Sequence, residues 1–147
     1  MEIKQTGIYV NDQDKALNFY TDILGFLKKL DVRAGNYRWL TVVSPEAPKG
    51  VQLVLQPNDN PAAKAYQEAE FKQGMPAIMF FVQDVQKEHA RLKERGVKFT
   101  MDPMKVTGST IAAFDDTCGN IVQITKLDYE GWKSSRIFFD VESHNGC

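Results

Sequence analysis

A chain of 147 residues, 43% hydrophobic and 25% charged, has the size and composition of one globular domain, or of two half-sized modules sharing one core. Lys and Arg number 18 against 19 Asp and Glu, so a net charge of −1 gives no bulk attraction to nucleic acid or to an anionic membrane. No run of ~18 apolar residues could span a bilayer, the first residues alternate like a strand, unlike a signal-peptide core, and the two distant cysteines, Cys118 and Cys147, make neither a disulfide framework nor a thiolate zinc motif. A cytoplasmic location is expected.

In chain order, residues 2–10 alternate and predict a half-buried strand. Asp12 or Asp14 can cap the helix that follows, in which Ala16, Leu17, Tyr20, Ile23 and Leu24 recur at helical spacing before Gly25. Strands are expected over 26–32, 38–43 and 51–56, with turns at Gly35-Asn36 and 45–50. Residues 58–74 are polar and alanine-rich, and predict a connector with a short helix. The pattern then restarts: a strand over 77–82, a helix over 84–95 ended by Gly96, and strands over 97–101, 110–114 and 121–127, the last preceded by a turn at 115–120. The tail 128–147, with Trp132, Ile137, Phe138 and Phe139, is too apolar for a disordered end and is expected to pack on the body or on a partner chain.

The two halves repeat one order of elements. Val10-Asn11-Asp12 recurs as Val82-Gln83-Asp84, Gly25 as Gly96, and Val51-Gln52-Leu53 as Val122-Gln123-Ile124, all at offsets of 71 or 72 residues. This predicts an α+β fold of two βαβββ modules, about 1–57 and 75–127, pairing into a curved eight-stranded mixed sheet with the helices on its outer face. Strand alternation sorts the side chains. Ile8, Val10, Leu53, Leu55, Ile78, Phe80, Val82, Val122 and Ile124 should face the helices. Gln5, Gly7, Tyr9, Gln52, Val54, Gln56, Ala77, Met79, Phe81, Ile121, Gln123 and Thr125 should face the other way. That mixture of amides, aromatics and methionine suits a small-molecule cleft.

Ile8-Tyr9-Val10-Asn11-Asp12, Phe19-Tyr20, Leu24-Gly25-Phe26, Phe81-Val82-Gln83-Asp84-Val85, Gly96-Val97 and the turn 115–120 leading into Ile121-Val122-Gln123 resemble the vicinal-oxygen-chelate superfamily, which holds glyoxalase I, bleomycin-resistance proteins and extradiol dioxygenases. The resemblance spans about residues 1–127. It implies a cleft in which enzymes of the superfamily hold a Lewis-acidic metal through four strand positions, usually His and Glu. Carried over, these positions are Gln5, Gln52, Ala77 and Gln123. Gln5 has a counterpart in some glyoxalases. The other amides bring no charge, and Ala77 brings no donor atom.

Two functions follow from the resemblance. One is a metal-free binding protein of the bleomycin-resistance type, with no cofactor and an uncharged or zwitterionic organic ligand held by Gln5, Tyr9, Trp39, Gln52, Gln56, Met79, Phe81 and Gln123. The other is a glyoxalase-like lyase or isomerase, of lactoylglutathione lyase type, or a dioxygenase-like enzyme, with a divalent metal in an atypical site. Proteins of this kind commonly form homodimers, and the cleft can lie within one chain or between two. Elsewhere, Arg38 reads as a solvated sheet-edge residue or a contact for an anionic group, and His89 as a partly buried structural residue. Asp115 and Asp116 read as turn-forming, and Cys118 as an unreactive thiol.

Overall fold

The structure, a computed structural model, describes residues 1–128. Its elements run β1 (Gln5–Val10), α1 (Gln13–Asn18) continued by a π-helical turn (Phe19–Ile23), β2 (Leu27–Ala34), β3 (Tyr37–Val43), β4 (Gln52–Pro57), α2 (Pro61–Lys72), β5 (Pro76–Phe81), α3 (Val85–Glu94), β6 (Phe99–Val106), β7 (Ser109–Asp115) and β8 (Ile121–Leu127). The repeat extends to its caps. Asp12 accepts from the Lys15 amide and Asp84 from the Lys87 amide, each at 3.0 Å, satisfying an orphan donor of the first helical turn. Both helical segments lead into a glycine at positive φ, Gly25 at 95° and Gly96 at 85°.

The eight strands form two four-stranded mixed sheets, one per module, ordered β1-β4-β3-β2 and β5-β8-β7-β6. In each, the helix carries the chain over so that the first strand lies parallel to the last. Gln5 pairs with Gln52 and Tyr9 with Gln56; Met79 pairs with Gln123 and Phe81 with Thr125. Two strands outrun the alternation pattern, β2 to Ala34 and β6 to Val106. β6 continues through Pro103 because it is an edge strand whose register slips between Phe99 and Met101 and again before Met104, so the missing amide breaks no ladder.

One core serves both modules. Ile8, Val10, Leu53 and Leu55 from the first sheet, Ala112, Phe114, Val122 and Ile124 from the second, and Phe19, Tyr20, Val85 and Leu92 from the helical segments form a single buried cluster. The Phe19 ring lies 6.1 Å from that of Phe114, and the Tyr20 ring 6.4 Å from that of Phe80. Arg91 and Arg95 tie α3 to the end of the first helical segment by donating to the carbonyls of Ile23 (3.1 Å) and Asp22 (2.8 Å). The helix-bearing faces of the two sheets therefore meet in one interior, and their opposite faces point away from it. The expected packing of the tail beyond residue 128 lies outside the described residues. Among the described residues no helix is long and apolar enough to cross a membrane.

Candidate functional site

The faces turned away from the core carry the residues that alternation assigned to a cleft. On the first sheet, Gln5, Gly7 and Tyr9 of β1 and Gln52, Val54 and Gln56 of β4 share a face with Thr41 of β3, which sits opposite Val54, and with Trp39 two residues before it. The Thr41 hydroxyl accepts the Leu30 amide at 3.1 Å, so its own proton goes to Gln52 Oε1 at 2.8 Å. Gln5 Nε2 donates to the same oxygen at 3.3 Å. Gln52 is thereby held with its carbonyl turned inward and its NH2 group presented. Gln56 folds its amide over Gly7 into the space that a Cβ there would occupy, so a side chain at that point would displace the Gln56 amide.

The second sheet is more apolar. Met79 and Phe81 are 47% and 50% exposed, although both are large hydrophobic side chains in mid-strand. Gln123 stands beside Met79 and donates to Thr125 Oγ1 at 3.1 Å, opposite Ala113 and Ile111 of β7. Five of the expected ligand-binding residues, Gln5, Tyr9, Trp39, Gln52 and Gln56, thus lie on one sheet. Met79, Phe81 and Gln123 lie on the other. No side-chain hydrogen bond joins the two sets among the described residues.

The donor set at the superfamily's metal positions does not suit a divalent cation. Gln5 and Gln52 are neutral amides bonded to each other. Ala77 falls at a register slip of β5, between Pro76 and Ile78, and presents a methyl group. Gln123 lies in the other set. Divalent metals of this chemistry take imidazole, carboxylate or thiolate, and no group of three or more His, Cys, Asp or Glu is gathered to hold one among the described residues.

Several residues take roles the sequence left open. Arg38 is not a free, solvated edge residue. Its side chain is 12% exposed and donates to Asp14 (2.6 Å) and Asp31 (2.9 Å), tying β3 to the first helix and to β2. Its hydrogen bonds hold the Asp31 carboxyl below the usual range. His89 lies against Phe99 with Nε2 3.1 Å from Asp102 Oδ1, a structural placement. Asp115 and Asp116 do build the turn, and Asp116 is also fully buried. Its Oδ1 accepts the amides of Cys118 (2.7 Å) and Asn120 (2.9 Å), and its Oδ2 accepts Tyr20 Oη and Asn120 Nδ2, both at 2.8 Å. Burial raises the Asp116 carboxyl while these donors oppose the shift. Burial, then the charge of Asp116, pushes the Cys118 thiol up to about 11, as expected for an unreactive cysteine.

No local pattern announces a groove of about 220 Å³ between α2 and the seam of the two sheets, lined by Tyr9, Tyr66, Gln67, Glu70, Phe71 and Met75 among others. Gln67 anchors it. Its Nε2 donates to the carbonyls of Tyr9 (2.9 Å) and Cys118 (3.2 Å) and to Asn120 Oδ1 (3.2 Å), while its Oε1 accepts Asn58 Nδ2 (2.8 Å). Only the folded chain brings these four partners together, so no local pattern announces them.

Residues 2–124 match the family described as the Glyoxalase/Bleomycin resistance protein/Dioxygenase superfamily. The chain is 56% identical over 126 residues to the uncharacterized protein YurT of Bacillus subtilis (strain 168), covering 86% of this chain and 99% of that one. Among solved structures it resembles UcmS2, at 30% identity and a TM-score of 0.74, covering 85% of this chain and 97% of the other. It also resembles TnmS3, an antibiotic binding protein from Streptomyces sp. CB03234, at 26% identity and a TM-score of 0.70, covering 87% and 97%.

Proposed function

Because the chain belongs to the Glyoxalase/Bleomycin resistance protein/Dioxygenase superfamily, we propose that it is a small-molecule-binding protein whose site works without a metal. The observation that carries this reading is the amide set. Gln5, Gln52 and Gln123, with Ala77, replace charged ligands by neutral donors and acceptors, and Gln5 and Gln52 are locked to each other and to Thr41. None of these groups can shuttle a proton near neutral pH, which glyoxalase-type isomerisation requires. They can hydrogen-bond a neutral or zwitterionic organic molecule, with Tyr9, Trp39, Met79 and Phe81 supplying flat and soft apolar contact. The likeness to an antibiotic binding protein supports a ligand of that general kind.

The working unit in this proposal is a homodimer in the cytoplasm. The amide-rich face of one chain lies against the Met79–Phe81–Gln123 face of a second, so that two half-sites close into a cleft, twice per dimer. Support for this arrangement comes from Tyr9 on one sheet and Met79 on the other, large side chains 37% and 47% exposed on faces turned away from the shared core. The test is a thermal-shift screen of neutral and zwitterionic organic compounds on wild type, Gln52→Ala and Phe81→Ser. Hits should raise the melting temperature of wild type and fail to raise that of either variant above its own unliganded value. Hits that stabilise all three proteins equally would place binding elsewhere and defeat the reading.

A further inference from the structure

The groove under α2 has one charged side chain in its lining, Glu70, and aromatic or soft apolar groups around it: Tyr9, Tyr66, Phe71 and Met75. Glu70 is half-buried, and the Tyr66 hydroxyl donates to its Oε1 at 3.0 Å, which orients the carboxylate toward the groove's aromatic rim. Among the described residues no Lys, Arg or His pairs with it, although α2 carries Lys64 and Lys72. Phe71, Met75 and Tyr66 are 38%, 49% and 61% exposed, so apolar surface borders the carboxylate on the open side. The floor is rigid, because buried Gln67 is bonded to four partners from three segments of the chain and Gly119 packs directly against it.

A carboxylate with no counter-charge among the described residues, bordered by tyrosine and phenylalanine rings, is the arrangement that recognises an organic cation. The carboxylate supplies charge and hydrogen-bond acceptors, and the ring faces supply cation–π attraction. We propose that the groove between α2 and the β1–β8 seam is a subsite for a positively charged amine or amidine group of a small molecule, with Glu70 as its counter-ion. This rests on the reading of the chain as a small-molecule binder, and it joins the groove to the cleft through Tyr9 and Ala77, which line the groove and belong to the cleft faces. The ligand class narrows accordingly, to organic molecules with a cationic arm beside a neutral polar and aromatic body.

Benzamidine, benzamide and benzoate share one shape and differ in charge, and they are the probes. Each is titrated to millimolar concentration into the full chain and followed by amide chemical shifts, for wild type and for Glu70→Gln, which keeps an acceptor for Tyr66 and removes the charge. Benzamidine should move the amides of Tyr66, Glu70 and Gly119 and bind about tenfold or more tightly than benzamide, with benzoate weakest. In Glu70→Gln the preference of benzamidine over benzamide should vanish while benzamide binding stays as it was. No benzamidine binding, equal binding of the three probes, or an unchanged preference in Glu70→Gln overturns the proposal. The cleft reading is judged separately, by whether neutral hits from the thermal screen move the amides of Gln52, Met79 and Gln123, so the two can fail independently.

Discussion

Replacing Tyr20 by phenylalanine isolates the buried polar link between the modules. The ring packs against Phe19, Phe26 and Phe80 at centroid distances of 5.6, 6.4 and 6.4 Å, and phenylalanine keeps all of that packing. Only the hydroxyl is lost, one of four donors to the buried Asp116 carboxylate. A hydrogen bond to a charged acceptor is worth about 1.5–3 kcal/mol, so Tyr20→Phe should lose that much stability near neutrality. In a chain of this length that is a fall in melting temperature of roughly 5–9 °C. The loss should depend on pH in both directions. Burial, and then the charge of Asp116, holds the Tyr20 hydroxyl well above its ordinary 10.0, so above that pH the unfolded chain releases the proton first. Wild type therefore loses stability as pH rises past 10.0, the variant lacks this contribution, and the gap narrows. On the acid side Asp116, raised above 3.8 by burial, takes up its proton, the charged hydrogen bond becomes a neutral one worth about 0.5–1.5 kcal/mol, and the gap narrows again. Urea denaturation of both proteins across the pH range measures this directly. A loss below about 0.5 kcal/mol, or a gap independent of pH, would refute the assignment of this link.

Gly7→Ala should push the Gln56 amide out of the first half-site at a stability cost under about 1 kcal/mol, because the displaced group is the free end of a flexible side chain; ligand affinity should fall while urea unfolding barely changes. In a Cys147→Ser background, Cys118 should resist a thiol reagent at pH 8 in the native protein and react at once in denaturant, since its thiol is buried and pushed up to about 11. Arg38→Gln should destabilise the protein at neutral pH and progressively less on acidification. Asp31 is held below its ordinary 3.8 by Arg38, and that contribution is lost as pH falls through the lowered value; thermal melts from pH 7 down to pH 3 read it out. Mixing Gln52→Ala with Phe81→Ser protein should restore binding in mixed dimers, in which one of the two clefts is intact; with half of the dimers mixed, titration calorimetry should read about a quarter of the wild-type stoichiometry.

Much of this architecture is legible in the sequence because the modules repeat. The offsets that pair Asp12 with Asp84 and Gly25 with Gly96 correspond to real helix caps and stops, and period-two alternation sorts Ile8, Val10 and Ile124 inward and Tyr9, Met79 and Phe81 outward. The alternation expected over 97–101 does not reach the end of β6 at Val106, which runs through Pro103, a residue a strand tolerates at a sheet edge. Local pattern is also silent on how modules pack. That Phe19 of the first helical segment meets Phe114 of β7, so that both helix-bearing faces share one core, is a long-range fact. The same holds for Asp116. It reads as one of two turn carboxylates until Tyr20, 96 residues away, is placed against it. The α2 groove is the extreme case, because a polar connector helix with a weak apolar stripe gives no cue that Gln67 is buried among Tyr9, Asn58, Cys118 and Asn120.

Metal retention tests the central claim most directly. The purified protein is incubated with nickel, cobalt, zinc, manganese or ferrous iron, desalted, and assayed by elemental mass spectrometry, alongside Gln5→Ala. A site of neutral amides split between two faces predicts that no metal is retained near one equivalent per chain or per dimer, and that wild type and Gln5→Ala read alike. Stoichiometric metal in wild type that disappears in Gln5→Ala would contradict the account and make Gln5 a ligand of a metal site in the cleft.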